Sequence, residues 1–287
     1  MSNEAEMTKL KINLIGPGKV GQTLMRRIVL AGGHEVQDIA GRDVEAASRA
    51  VQFIGAGTAV SALADMRPAD LWLLTVSDTR IADVAARLAE LAPDRPSIAV
   101  HCSGFLPAAE MQPLRALGWH LASVHPVLTF ADPARAVGQF EGTLCGVEGD
   151  TEAVTVVDAL IRDIGGQPFP LSSQHKAIYH AAAVFSNNFT VVLQAVAREA
   201  WARAGVPEEI IGQLNARLLA ATAENVGRLG PAAALTGPAA RGDLAIVAQQ
   251  EAAVRSWHPD AGKAYAELSL LAGRLKRTGT TLETGGV

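Results

Sequence analysis

Two ionisable side chains, Lys176 and His180, stand four positions apart in an otherwise apolar segment of this sequence. Residues four apart on a helix share one face, so both side chains can point into one cleft. A lysine and a histidine placed together can transfer a proton to or from a bound molecule. A solvated lysine at a helix start and a hydrogen-bonded histidine on its face would give the same spacing, and the pattern alone leaves both interpretations open.

A second chemical signature is a G-x-G-x-x-G series between an apolar run, LKINLIG, and a helix-like stretch. The first glycine permits a tight turn, the second lets the backbone approach a pyrophosphate, and the third lets the helix pack closely on the strand. The pyrophosphate then lies at the helix N-terminus. The series predicts a dinucleotide site, with a purely structural turn as the alternative. Its residues are Gly16, Pro17, Gly18, Lys19, Val20 and Gly21.

The residues after the second predicted strand indicate which dinucleotide binds. In an NAD site an acidic side chain here holds the ribose hydroxyls and would repel a 2′-phosphate. In this sequence the position falls on Ala40 or Gly41, and Arg42 follows. A small residue and a guanidinium predict NADP(H). If the register differed by two residues, Asp38 would take the position and predict NAD. Arg42 would alternatively be an exposed loop arginine.

Further polar positions follow other predicted strands. Thr75, Val76 and Ser77 end the strand that begins at Asp70, and their backbone would line the nicotinamide ribose. Ser103 follows the strand SIAVH. Carboxyl ends of parallel strands meet at one edge of an open α/β sheet, where ligands bind, so we expect these residues near the dinucleotide. The segment after Thr75 is also compatible with an ordinary loop that caps the next helix.

The elements that must position these residues divide the chain in two. Strands and helices alternate to about residue 172, which predicts a Rossmann domain over 8–172 with a doubly wound, mainly parallel sheet. Strand signals then stop, and an all-α domain is predicted over 173–278, beginning with one long helix over 174–204. The residues 1–7 and 279–287 read as flexible tails. The predicted fold class is α/β with a C-terminal helical domain.

Composition excludes several functions. Lys and Arg number 25 against 29 Asp and Glu, so the formal charge of −4 disfavours a nucleic-acid or anionic-lipid partner. Cys102 and Cys145 are the only cysteines, which predicts neither a disulfide scaffold nor a metal site. No uncharged run approaches the roughly 20 residues of a membrane span, and the N-terminus lacks a signal-peptide pattern. We therefore expect a cytoplasmic protein with a small-molecule substrate.

Longer motifs carry a resemblance across nearly the whole chain. They are GPGKVG from Gly16, HCSG from His101, ASVHPVLTFADP from Ala122, KAIYHAAAVFSNNF from Lys176 and LTGPAARGD from Leu235. With these motifs the chain resembles the Rossmann-like NADP oxidoreductases whose C-terminal helical domain has no assigned function. That family is related to 6-phosphogluconate and 3-hydroxyisobutyrate dehydrogenases and to pyrroline-5-carboxylate reductase.

The resemblance implies roles for individual residues. Lys176 matches the catalytic lysine of the hydroxyacid dehydrogenases, while His180 replaces the asparagine that follows it there. This departure leaves open which of the two is the acid or base. His125, before Pro126, is similar to the histidine of prephenate dehydrogenases that works at the nicotinamide, with a structural loop histidine as the alternative. Asn188 matches the asparagine of an S-N-F pattern and would bind substrate or, as a buried amide, hold the packing between domains.

Arg241 lies in the last motif and would pair with a carboxylate or phosphate of the substrate, or with Asp243 nearby. In dimers of the related reductases this region approaches the cleft of the other subunit. The resemblance therefore implies a homodimer through the helical domain. It also implies an NADPH-dependent oxidoreductase that moves hydride to or from a C=O or C=N carbon of a small anionic metabolite. The alternative is an NADP-binding regulatory or scaffold dimer without turnover.

Overall fold

The predicted alternation of strands and helices forms one eight-stranded sheet in the computed structural model, which describes residues 9–91 and 95–283. The strand order is β3-β2-β1-β4-β5-β6-β7-β8, and every neighbouring pair is parallel except β6 and β7. The predicted fold class is confirmed, although the short β3 and the antiparallel pairing of β7 had no clear sequence signal. The strands are β1 Lys11–Ile15, β2 Glu35–Ala40, β3 Thr58–Val60, β4 Leu71–Leu74, β5 Ile98–His101, β6 His120–Pro126, β7 Leu144–Gly149 and β8 Gln167–Pro170.

Two hydrophobic clusters cover the two faces of the sheet. Alternate residues of β4 point to opposite sides, so that Leu71 and Leu73 join one cluster while Trp72 and Leu74 join the other. The first cluster holds α1, α2 and α5, and the second holds α3 and a 3₁₀ segment, Ala108–Leu117. The sheet is therefore doubly wound. The helices of this part are α1 Lys19–Ala31, α2 Val44–Ile54, α3 Asp78–Leu91, α4 Pro133–Gln139 and α5 Thr151–Asp163.

By its packing the chain divides into a first unit, Met1–Asn187, and a second unit, Asn188–Val287. The first unit includes α6 Lys176–Ser186, so the division lies later than the predicted start of the helical domain at residue 173. The single long helix predicted over 174–204 was wrong, because Asn187 interrupts it (φ −110°, ψ −68°). Ser and Asn side chains compete for backbone hydrogen bonds and so weaken a helix interior.

The second unit is helical but buries very little of its own apolar surface. Among its described residues only Ile211, Ala261, Gly262 and Gly273 are buried, while large apolar side chains are exposed on most of its helices. No helix in the described part of the chain is long and apolar enough to cross a bilayer. The helices are α7 Asn188–Arg203, α8 Glu208–Leu229, α9 Pro231–Ala234, α10 Pro238–Arg241, α11 Leu244–Trp257 and α12 Pro259–Thr278.

The predicted tails lie mostly outside the described residues. This holds for all of residues 1–7 and for 284–287. Residues 279–283 are described, and Arg274 of α12 contacts them: its Nη1 donates to the carbonyl of Thr281 at 2.8 Å and its Nη2 pairs with Glu283 at 2.8 Å.

Candidate active site

The glycine turn between β1 and α1 is held by close backbone packing. Gly16 has a φ of +82°, and a Cβ there would lie 2.6 Å from Cγ1 of Val76. A Cβ at Gly21 would overlap Oγ1 of Thr75, whose hydroxyl donates to the carbonyl of Gly16 at 2.5 Å. Gly18 differs, because the nearest atoms to a Cβ there are 4.0 Å away. Two of these glycines serve the packing of the turn, whereas Gly18 leaves open space at the start of α1.

A groove at this turn brings together several predicted residues. Lys19 and Val20 follow as the first residues of α1, and Gly41 packs tightly on the start of α2. Ser77 lies exposed in the loop before α3. Arg49, on α2, also lines the groove. It was not identified from the sequence, where its spacing of seven residues from Arg42 was the available signal. The lining residues are Gly16, Pro17, Gly18, Gln22, Arg42, Ala46, Arg49 and Thr75.

The register of β2 shows which residue ends that strand. Ala40 pairs with Ile15 at the end of β1, so the turn continues through Gly41 to Arg42, as in the predicted register. Asp38 is only 1% exposed, and its carboxylate accepts from the backbone N–H and the guanidinium of Arg67. The carboxylate of Asp38 is therefore already paired with Arg67. The Arg42 side chain is 85% exposed and contacts Asp43 at 3.1 Å.

Lys176 is almost completely buried, so the interpretation of it as a solvated lysine at the helix start was wrong. Its side chain is 1% exposed, and its Nζ donates to the carbonyl of Ser103 at 2.9 Å and to the hydroxyl of Ser123. Oε1 of Glu148 lies 3.5 Å from the same nitrogen. Burial lowers the pKa of Lys176, and the nearby Glu148 carboxylate opposes that shift. All three N–H donors thus face acceptors of the protein.

The partners of Lys176 come from the loop after β5, which carries Ser103, and from the strands β6 and β7, which carry Ser123 and Glu148. Glu148 is buried and also accepts from the backbone N–H of Ala108 at 2.7 Å. The hydroxyl of Ser103, predicted to bind substrate, donates to Asp78 at 2.9 Å and accepts from the N–H of Leu106 at 2.9 Å. The side chain of Ser103 is therefore already used in shaping its loop.

The predicted histidines lie together, next to a tyrosine that sequence reasoning missed. Nδ1 of His125, near the end of β6, is 2.9 Å from the hydroxyl of Tyr179, and the two rings meet edge to face. The ring of His180 lies 5.5 Å from the ring of His125. Nδ1 of His180 is buried and has no hydrogen-bond partner among the described residues. Tyr179 and His180 share a face of α6 with Lys176, which was the available signal.

Burial determines the protonation states of His125 and Tyr179. It lowers the pKa of His125 to about 4, and the neighbouring His180 and Lys176 add to the shift because each disfavours a second positive charge. Burial also raises the pKa of Tyr179. His125 is consequently neutral and Tyr179 is a phenol at pH 7. Two uncharged rings joined by one hydrogen bond lie at the carboxyl edge of the same sheet as the glycine turn.

Family models match both parts of the chain. A Rossmann-like domain matches residues 1–126, and a domain of unknown function, DUF2520, matches residues 143–272. The chain thus contains a Rossmann-like domain followed by a DUF2520 domain. This organisation agrees with the resemblance of its motifs. No curated protein matches the sequence.

Solved structures share the fold of this chain. A Bacteroides fragilis protein to which NADP oxidoreductase activity is attributed is 24% identical, with a TM-score of 0.75 and coverage of 93% of this chain and 98% of the other. A Thermotoga maritima protein is 24% identical, with a TM-score of 0.73 and coverage of 93% and 99%. Plasmodium falciparum pyrroline carboxylate reductase, solved with NADP bound, is 14% identical, with a TM-score of 0.59 and coverage of 93% and 99%.

Two predicted substrate residues, Asn188 and Arg241, lie in the second unit of the chain. Asn188, at the start of α7, is exposed, so the buried amide expected there was wrong. Nε of Arg241 is 3.1 Å from Asp243, and the arginine side chain is 63% exposed. The Arg–Asp pair, which was one of the two interpretations of Arg241, is thus present in the structure.

Proposed function

We propose that this protein is an NADP(H)-dependent oxidoreductase that moves hydride to or from a C=O or C=N carbon of a small metabolite. The observation that carries the proposal is the common sheet edge: the glycine turn follows β1, and the neutral His125 lies near the end of β6 in the same sheet. Ligands of open α/β sheets bind at that edge. The named activities of the Bacteroides and Plasmodium proteins, which share this fold, support it.

The residues of the groove fit NADP(H). Gly18 leaves the start of α1 open, where backbone N–H groups and the helix dipole favour a pyrophosphate. Arg42 and Arg49 line the same groove and would hold the 2′-phosphate through charge-assisted hydrogen bonds. Asp38, which would repel that phosphate, is bound to Arg67 instead. The bound nicotinamide supplies the hydride chemistry.

The protein then has to position the substrate and to move one proton. When hydride is added to a C=O or C=N carbon, the oxygen or nitrogen takes up a proton, and the reverse reaction releases it. His180 has a buried nitrogen that is not engaged with the described residues, so it is the better candidate for this transfer. Lys176, with all three donors engaged, holds the loop that carries Ser103 against Ser123 of β6.

Cofactor choice gives the direct test. The wild type should bind NADPH more tightly than NADH, which can be followed by quenching of tryptophan fluorescence. The double variant Arg42→Ala, Arg49→Ala should weaken NADPH binding about 100-fold or more, since each of the two lost charged contacts contributes about 1.5 kcal/mol or more. Binding of NADH should stay unchanged. Equal losses for both cofactors would contradict the 2′-phosphate assignment, and failure of the wild type to bind either would overturn the proposed function.

We also propose that the second unit forms a homodimer. Its helices leave many large apolar side chains exposed while burying few residues, and such surfaces are typical of subunit interfaces. Light scattering should give twice 29.9 kDa for the wild type. Val191→Lys on α7 should shift the protein toward the monomer, whereas Leu30→Lys on α1, a residue of comparable exposure in the first unit, should not. A monomeric wild type would contradict the proposal.

A further inference from the structure

The ring nitrogens of His125 and His180 converge beside Gly104. A Cβ on Gly104 would lie 2.8 Å from Nε2 of His125 and would overlap Nδ1 of His180. Because both nitrogens are close to this one point, they are no more than about 5 Å apart. A single oxygen at hydrogen-bond distance of both nitrogens bridges such a gap. Glycine is the residue that lets both rings approach this close.

Tyr179 decides which nitrogen of His125 carries the proton. A phenol is a stronger hydrogen-bond donor than a neutral imidazole N–H, and an imidazole nitrogen is a stronger acceptor than a phenol oxygen. The hydroxyl of Tyr179 therefore donates to Nδ1 of His125, over 2.9 Å. The proton of the neutral ring is then on Nε2, the nitrogen beside Gly104. His125 presents an N–H donor to the site.

The position of Tyr179 is set by three strands. His125, its hydrogen-bond partner, lies near the end of β6. Gly146 of β7 leaves room for the phenol, because a Cβ there would be 2.9 Å from the phenol oxygen. Phe169 of β8 meets the tyrosine ring edge to face. These contacts fix the position of the tyrosine ring. The fold therefore determines the tautomer of His125.

His180 complements this donor. Its Nδ1 is buried and unpaired with the described residues, and a buried polar atom without a partner destabilises the protein. The ring as a whole is partly exposed, so it can exchange a proton with solvent. A bound group that donates a hydrogen bond to this nitrogen while accepting one from His125 would satisfy both. A hydroxyl does this with one atom. A carboxylate and a neutral imine nitrogen cannot donate, and the nitrogen of a protonated imine or amine cannot accept.

We infer that His125 and His180 bind the reacting oxygen of an alcohol or carbonyl substrate, with Tyr179 as a positioning residue for His125. This rests on the proposed function and narrows its substrate to the C=O class. In the oxidative direction the carbon loses hydride to NADP⁺, the hydroxyl proton passes to Nδ1 of His180, and the O–H electron pair forms the C=O bond. Reduction reverses each transfer, and His180 returns the proton to the oxygen.

Histidine ring ¹⁵N NMR tests the site without knowledge of the natural substrate. The wild type should show His125 protonated on Nε2, and Tyr179→Phe should give a mixture of tautomers. Propan-2-ol, added with NADP⁺, should shift Nε2 of His125 and Nδ1 of His180. Acetate and 1-pyrroline should not. A His125 protonated on Nδ1 in the wild type, a response to acetate or 1-pyrroline alone, or no response at all would overturn the inference.

Gly104→Ala separates this inference from a general effect on the protein. Its methyl group would push the two rings apart without removing a polar group, so the response to propan-2-ol should disappear while NADPH affinity stays within about 2-fold. Gly138→Ala on α4 is the matched control, because a Cβ there meets no atom within 4 Å. If the wild type did not bind NADPH, that result would contradict the proposed function. The tautomer of His125 is measured without cofactor, so the two results can be distinguished.

Discussion

Replacing Lys176 with methionine distinguishes a positioning lysine from a catalytic one. Methionine keeps most of the side-chain volume but removes the charge and three N–H donors. The buried carbonyl of Ser103 and the carboxylate of Glu148 would each lose a partner. Breaking a buried ion pair on one side costs about 3–5 kcal/mol. Glu148 retains its bond from the N–H of Ala108, so we expect the lower end of this range.

A loss of about 3 kcal/mol corresponds to a fall in Tm of roughly 6–12 °C for a domain of about 200 residues. Differential scanning calorimetry on the wild type and Lys176→Met would measure it. Lys263→Met on α12 is the matched control, because Lys263 forms an exposed i,i+3 pair with Asp260 that should contribute less than about 1 kcal/mol. The double variant Lys176→Met, Glu148→Gln should recover part of the lost stability, since no carboxylate then stays unpaired.

The reasoning would be refuted if Lys176→Met melted within about 1 °C of Lys263→Met. Such a result would mean that the buried contacts contribute little to folding. If NADPH affinity were then normal and turnover lost, Lys176 would be the proton donor that the family resemblance implies. A large stability loss with partial turnover retained would support the positioning role.

Two further predictions concern the cofactor turn and pH. Gly18→Ala should leave the free energy of unfolding within about 1 kcal/mol but weaken NADPH binding 10-fold or more, because its methyl group enters the open space of the groove. Gly21→Ala should lower stability in urea unfolding instead, and the opposite pattern would contradict the assignment. Burial lowers the pKa of His101 and of His125 to about 4, so the native state binds protons less readily than the unfolded chain. The free energy of unfolding should therefore fall from pH 6.5 to 4, by about 3 kcal/mol for each histidine. If His101→Gln showed the same pH dependence of stability as the wild type, that result would contradict the prediction.

Local sequence signals were sufficient for most of the sheet. The glycine turn lies between β1 and α1, and Ala40 ends β2, as the strand pattern predicts. Parallel strands buried on both faces appear as short apolar runs, which is a local property. The antiparallel pairing of β7 with β6 is not local, because it depends on which edge the chain reaches after α4. The interruption at Asn187 was also missed, since one residue hardly changes an apolar period.

The candidate site shows the same limit. Spacing placed Lys176 and His180 on one helix face, and that holds for α6. It could not show that Lys176 is buried against Glu148, because the acceptors come from distant parts of the chain. Tyr179 lies between them in sequence but has no motif that indicates a partner, and its partner is a strand residue, His125.

The sequence by itself therefore determined the α/β class, the dinucleotide turn and the helix that carries the ionisable residues, since each depends on neighbours a few positions apart. Only the tertiary structure decided what those residues can do. Burial and partners from β6, from β7 and from the loop after β5 engage Lys176 fully, while Nδ1 of His180 is unpaired among the described residues. A side chain's chemistry follows from desolvation and from the groups it contacts, and the fold brings those groups from distant parts of the chain.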